Sequence, residues 1–249
     1  MLIRSLVLAI TLISSTYATN IKVALAANVG YAIDDLKKEF HKLYPNHKIK
    51  ITLSGSGKLF AQIKHGASYD IFLSANMQYP KRLYKDGIAI SKPTVYAQGG
   101  LALFSVNRLD LSQGIKILKS NTIRKIALAN PKTAPYGKAA MEVIKNSGYY
   151  KKLKSKFIYG ESISQTLIYT LQAADIGIVA KSALFSSRMK KYKQQKDWIE
   201  VDSRLYTPID QGMVILKNGE NNRGVKDFYN FILSKKGKTI LQRFGYIVK

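Results

Sequence analysis

From Asn20 onward, short apolar runs alternate with segments whose apolar residues recur every three or four positions. IKVALAA (21–27) reads as a buried strand, and Tyr31, Ile33, Leu36 and Phe40 then keep helical spacing until just before Pro45. KIKITLS (48–54) alternates like a strand, Leu59 and Ile63 mark the next helix, Gly66 closes it, and YDIFLSA (69–75) is a third strand. GGLALFSV (99–106) interrupts with two glycines and an apolar strand. IRKIALANP (123–131) then starts a second series: a helix after Gly137, a strand at 156–159, a helix after Ser162, and DIGIVA (175–180). A further apolar strand, TPIDQGMVIL (207–216), leads into two final helical stretches, the last ending at Gly245.

Such alternation predicts α/β architecture, with mostly parallel sheets covered by helices. The two interruptions predict two lobes joined by crossings near 99–105 and 208–216. Residues 19–100 and 215–249 would form a discontinuous first lobe, and residues 101–214 a second lobe with hinge strands at its ends.

Four loops share one design: AANVG (26–30), SGSGK (54–58), APYGK (134–138) and GESIS (160–164) each follow a strand-like run and open a helix. A helix start offers unpaired N–H groups and roughly half a positive charge, which suits an anion. Ligands of open α/β sheets sit beyond the C-terminal strand ends. Two such loops per lobe would face each other across a cleft. Asn28, Ser56, Tyr136 and the backbone around Ile163 are the candidate donors; alternatively, each is simply a cap, a turn or a helix cover.

Composition narrows this picture. The absence of Cys excludes thiolate metal sites, Cys nucleophiles and a lipid-bearing Cys. The chain's three histidines include His41 and His47 beside a predicted helix end, where a solvated surface role is expected and no metal site. Residues 1–18, MLIRSLVLAITLISSTYA, have a basic start, an apolar run and small residues at the cut positions, predicting a signal peptide cleaved near Ala18 and a periplasmic location. The formal charge of +25 is dispersed over helix ends and loops, and no nucleic-acid-binding motif accompanies it.

Enzymatic motifs fail. SGSGK lacks the first Gly of a phosphate-binding loop, having Thr52 there, and Leu59 stands where Ser or Thr should hold magnesium. No nucleophile elbow and no HExxH is present. The expectation is therefore binding without catalysis or cofactor. A basic polyanion-binding surface protein is the rival class.

Longer stretches point to a family. VALAANVGYAIDDL, LSGSGKLFAQIKHGASYDIFLSAN, ALANPKTAPYGKAAMEVI, DIGIVAKSAL and FYNFILSKKGKTILQRFGY resemble the periplasmic molybdate-binding proteins (ModA type) of ABC importers over nearly all of the mature chain. The resemblance implies a type II periplasmic-binding-protein fold of two lobes, and molybdate or tungstate as ligand; the rival reading within the binding class is another ligand, such as sulfate, phosphate or iron. It also implies delivery to an ABC transporter permease by a protein expected to be monomeric, with no metal cation ligands. Position by position it carries ligand contacts to Ala27, Asn28, Ser56, Tyr136 and the main chain of Ile163. Some members have a ligand-binding Tyr just after the GIV strand, where this chain has Ala180, which leaves Tyr136 as the candidate replacement hydroxyl.

Overall fold

The computed structural model describes residues 19–248. The signal-peptide reading of residues 1–18 lies outside the described residues. Two five-stranded sheets form the frame. The first has the order β2-β1-β3-β10-β4, where β1 is Asn20–Ala26, β2 Lys48–Ser54, β3 Ile71–Ser74, β4 Thr94–Gly99 and β10 Ile209–Ile215. The second has the order β7-β6-β8-β5-β9, where β5 is Leu101–Phe104, β6 Ile126–Ala129, β7 Phe157–Gly160, β8 Ile176–Ala180 and β9 Trp198–Glu200.

In each sheet one strand opposes the rest. β1 runs parallel to β2 and β3, while β10 is antiparallel to both β3 and β4. β6 runs parallel to β7 and β8, while β5 is antiparallel to both β8 and β9. The reversed strand is in each case the first one after the chain has crossed from the other sheet. A strand that enters from the opposite lobe runs against its hosts, so the mostly parallel expectation holds with this one exception per sheet.

That rule corrects one boundary. Residues 207–214 were expected in the second lobe, but β10 pairs with β3 and β4 of the first sheet. The second crossing is therefore the stretch 201–208, ahead of the strand. The first crossing falls at Gly100, between β4 and β5.

Helices cover both sheets. α1 (Ile33–Leu43) buries Ile33, Leu36 and Phe40 with α8 (Arg223–Leu233) and α9 (Lys235–Arg243) on one face of the first sheet. The Phe40 ring makes edge-to-face contacts with Phe228 and Phe231 there. α2 (Ser56–Lys64) and α3 (Gln78–Lys85) close the other face through Leu59, Ile63 and Leu83. α4 (Pro135–Asn146), the short α5 (Tyr150–Leu153), α6 (Ile163–Gln172) and α7 (Lys181–Leu184) belong to the second lobe. Its main core runs on through Ala26, Ala27 and Ala75 of the first lobe. Small residues at these two strand ends, of β1 and β3, let the lobes touch.

The histidine expectation fails at one position. His47 is largely buried, its Nε2 3.1 Å from the Asp227 carboxylate and its Nδ1 3.1 Å from the Thr19 hydroxyl. The Pro45 turn folds the ring back onto α8 instead of into solvent.

Candidate functional site

The loops after β1, β2, β6 and β7 meet at one small cavity between the lobes. It is lined by Ala26, Ala27, Asn28, Gly55, Ser56, Ala75, Ala134, Pro135, Tyr136 and Ile163, and its volume is about 10 Å³. All five residues expected at the site are among these, contributed by four separate strand-to-helix junctions. A space of that size admits roughly one water. No Lys or Arg lines it, so an anion there would be met by neutral dipoles.

Each junction has a local reason. The turn Ala27–Tyr31 follows β1 as a tight 3-10 coil, its first residues buried. α2 begins at Ser56 after extended Gly55. The Ser56 hydroxyl oxygen accepts the Ala75 N–H at 2.9 Å. A hydroxyl that accepts from a backbone N–H keeps its own proton to donate. α4 begins with Pro135, preset for a first turn and lacking an N–H to satisfy. α6 is capped by Ser162, whose hydroxyl accepts the Gln165 N–H at 3.2 Å, and Ile163 opens the helix at the cavity.

The lobes are in contact across the cleft. The Gly57 N–H donates to the Thr133 carbonyl at 3.1 Å. Tyr31 donates to the Ser164 hydroxyl at 3.2 Å, which donates on to the Ala27 carbonyl at 3.2 Å. Ser182 donates to the Asn28 carbonyl at 3.1 Å. Two glycines make such closeness possible. A Cβ on Gly57 would stand 2.5 Å from the Thr133 carbonyl oxygen, and one on Gly99 would stand 2.1 Å from the Tyr136 hydroxyl.

Behind the cavity wall lies a polar cluster that the sequence reading missed. Asn28 Nδ2 donates to Gln211 Oε1 at 2.7 Å and to the Tyr246 hydroxyl at 2.8 Å, with the Tyr136 hydroxyl at 3.4 Å. The Asn28 amide therefore faces the back wall rather than being held ready for a ligand. Its Oδ1 is buried without a partner. Gln211 carried one signal in the sequence, as a lone amide inside an apolar strand; Tyr246, after the last helix, carried none. Burial, reinforced by the neighbouring phenols Tyr246, Tyr96 and Tyr206, holds the Tyr136 phenol well above its usual range. Burial likewise pushes Tyr246 up to about 12. Both remain protonated hydroxyls at any physiological pH.

Residues 21–247 match the family model of bacterial extracellular solute-binding proteins. The chain belongs to this family. It is 33% identical to the molybdate-binding protein ModA of Azotobacter vinelandii, over 92% of this chain and 90% of that one. Its identity to ModA of Rhodobacter capsulatus is 31%, over 93% and 90%. The solved structure of the Azotobacter vinelandii periplasmic molybdate-binding protein superposes with a TM-score of 0.85 at 30% identity, covering 92% of this chain and 99% of that one. The fold is thus the type II periplasmic-binding-protein fold, and the family is one of binding proteins, not enzymes. The basic-surface alternative is not favoured. Among the described residues no helix is long and apolar enough to cross a membrane.

Proposed function

We propose that this protein captures molybdate, and tungstate equally well in kind, in the interlobe cavity and delivers it in the periplasm to the permease of an ABC importer. The observation that carries this reading is the convergence of Ala27, Asn28, Ser56, Tyr136 and Ile163 from both lobes on one cavity free of Lys and Arg, in a chain 33% identical to a molybdate-binding protein. Ser56 donates its hydroxyl proton, and the helix starts at Ile163 and after Ala26 supply main-chain N–H groups. Tyr136, at the start of α4, lines the second-lobe side of the cavity, and its hydroxyl closes against Asn28 behind it. Hydrogen bonds to a charged group contribute about 1.5–3 kcal/mol each. Six of them, less the cost of ordering, support a complex near −12 kcal/mol, roughly nanomolar.

Capture couples to closure. An anion touching donors of both lobes favours the closed arrangement by its differential contacts. The closed cavity of about 10 Å³ is too small for free passage, so the lobes part to admit the ligand. The dispersed positive charge of +25 accelerates anion encounter and does so less at high salt. The protein works as a monomer without a resident cofactor. Selectivity against sulfate would come from the size of the cavity that forms around the ligand and from the geometry of its donors. Isothermal calorimetry with molybdate, tungstate and sulfate tests this, the expected result being tight one-to-one binding of the first two only. Sulfate binding as tight as molybdate binding overturns it.

A further inference from the structure

The cluster behind the cavity has a geometry of its own. Gln211 is anchored by its Nε2, which donates to the Ile209 carbonyl at 2.9 Å. Its Oε1 is thereby turned toward Asn28, at 2.7 Å from Nδ2. The Asn28 amide cannot be reversed, because reversal would set two acceptor oxygens against each other. The Tyr246 hydroxyl completes the hold on the same residue. It donates to the Asn28 carbonyl at 2.9 Å and receives Nδ2 at 2.8 Å. It also lies 3.3 Å from the Ser182 hydroxyl, which donates to that same carbonyl from the second lobe at 3.1 Å. Asn28, Gln211 and Tyr246 belong to the first lobe, whereas Ser182 and Tyr136 belong to the second.

We infer that Tyr246 and Gln211 are positioning residues for the oxyanion site, an inference that rests on the binding role proposed above. They use both Nδ2 protons of Asn28, so that residue serves as a strut and its side-chain amide is not a ligand donor. The strut fixes the turn Ala27–Tyr31, whose first residues, Ala27 and Asn28, line the cavity. Through Ser182 the Tyr246 hydroxyl also links that turn to the closed state. Loss of the hydroxyl leaves the Asn28 carbonyl and amide under-satisfied in a buried place and loosens both functions.

Tyr246→Phe tests this by stopped-flow and calorimetric titration with sodium molybdate, alongside thermal melting of the unliganded protein. The expected result is a molybdate dissociation rate raised about tenfold, a loss near 1.4 kcal/mol, with the association rate within about twofold of wild type. Ser182→Ala should give a smaller rise, and the double variant should fall short of the product of the two. A merely structural role would lower the melting temperature or the binding stoichiometry and leave the dissociation rate of the folded fraction unchanged; that result overturns the inference. If Tyr246→Phe does not fold, Ser182→Ala carries the same test from the other lobe, and an unchanged dissociation rate there overturns it too. Wild-type protein that binds no molybdate would instead overturn the proposed function itself.

Discussion

The two lobes bring different kinds of wall to the cavity. On the first-lobe side, Ser56 is fixed from within, because its oxygen accepts the N–H of Ala75, just past the end of β3 in the same lobe. Both partners of that bond lie in the first lobe, so it does not depend on contact between the lobes. On the second-lobe side, Tyr136 is only 1% exposed, and its hydroxyl is seated by Gly99 and Asn28, both in the first lobe. The surroundings of the Tyr136 hydroxyl are therefore shared between the lobes and would be complete only when they are closed. On the proposed function, half of the site would be preorganised and half assembled on closure, which would separate the first contact with an anion from the locking of the complex.

The sharpest break of this comparison is Gly57→Ala. Gly57 is helical with an ordinary φ, so Ala would favour α2 by up to about 1 kcal/mol in local terms. The added methyl, however, would sit 2.5 Å from the Thr133 carbonyl across the cleft. We expect molybdate affinity to fall at least about 100-fold, since a two-state closure disfavoured by about 2.7 kcal/mol loses that much. The methyl would also stand 2.9 Å from the Tyr79 hydroxyl within the first lobe, so the melting temperature of the unliganded protein should fall, but by much less than the loss of affinity implies. Small-angle scattering with and without molybdate checks whether closure is lost; closure as in wild type would contradict the account.

Next in size is the contrast between Ser56→Ala and Tyr136→Phe. Removing a preset donor to a charged ligand should cost about 1.5–3 kcal/mol, or roughly 10- to 150-fold, and show in both encounter and release. Removing the Tyr136 hydroxyl should cost less and show almost entirely in the release rate, because it engages after closure. Rapid-mixing kinetics on both variants distinguishes them, and equal partitioning of the two losses would erase the difference between the lobes.

The smallest effect expected is that of pH. Neutral donors line the cavity, so molybdate affinity should be flat from about pH 6 to 9, with phenols of ordinary pKa near 10 still protonated there. Stability has a separate signature. Tyr246 is raised from 10.0 to about 12 in the folded protein. A group raised on folding contributes stability that is intact below its unfolded pKa and is lost as pH climbs through the folded one. Unfolding free energy should therefore decline between pH 10 and about 12, and Tyr246→Phe should remove part of that decline in denaturant titrations.

Much of this was legible along the chain because it is local. Alternating apolar runs mark β1, β2, β3, β5, β6 and β8, and helical spacing marks α1, α2 and the final helices. The four helix-start loops are written in contiguous residues, so their chemistry could be read before any fold was known. The edge strands β4 and β9 were harder to see. TVYAQG mixes exposed Val95 with buried Tyr96 and ends in Gln and Gly, and WIE is three residues long. α3 was hidden by Pro80 and by a mostly polar sequence that buries only Pro80 and Leu83.

What the sequence by itself determined is the rhythm of strands and helices, the separation into two lobes and the chemical character of the loops, all consequences of short-range periodicity and capping. Only the tertiary structure decided which sheet receives Ile209–Ile215, because strand pairing depends on partners far away in the chain. Tertiary contacts also decided what Asn28 does. Its amide answers to Gln211 and Tyr246, 183 and 218 residues downstream. A hydrogen-bond donor spends its protons on whichever acceptors folding brings within 3 Å or so, and no local pattern records that choice.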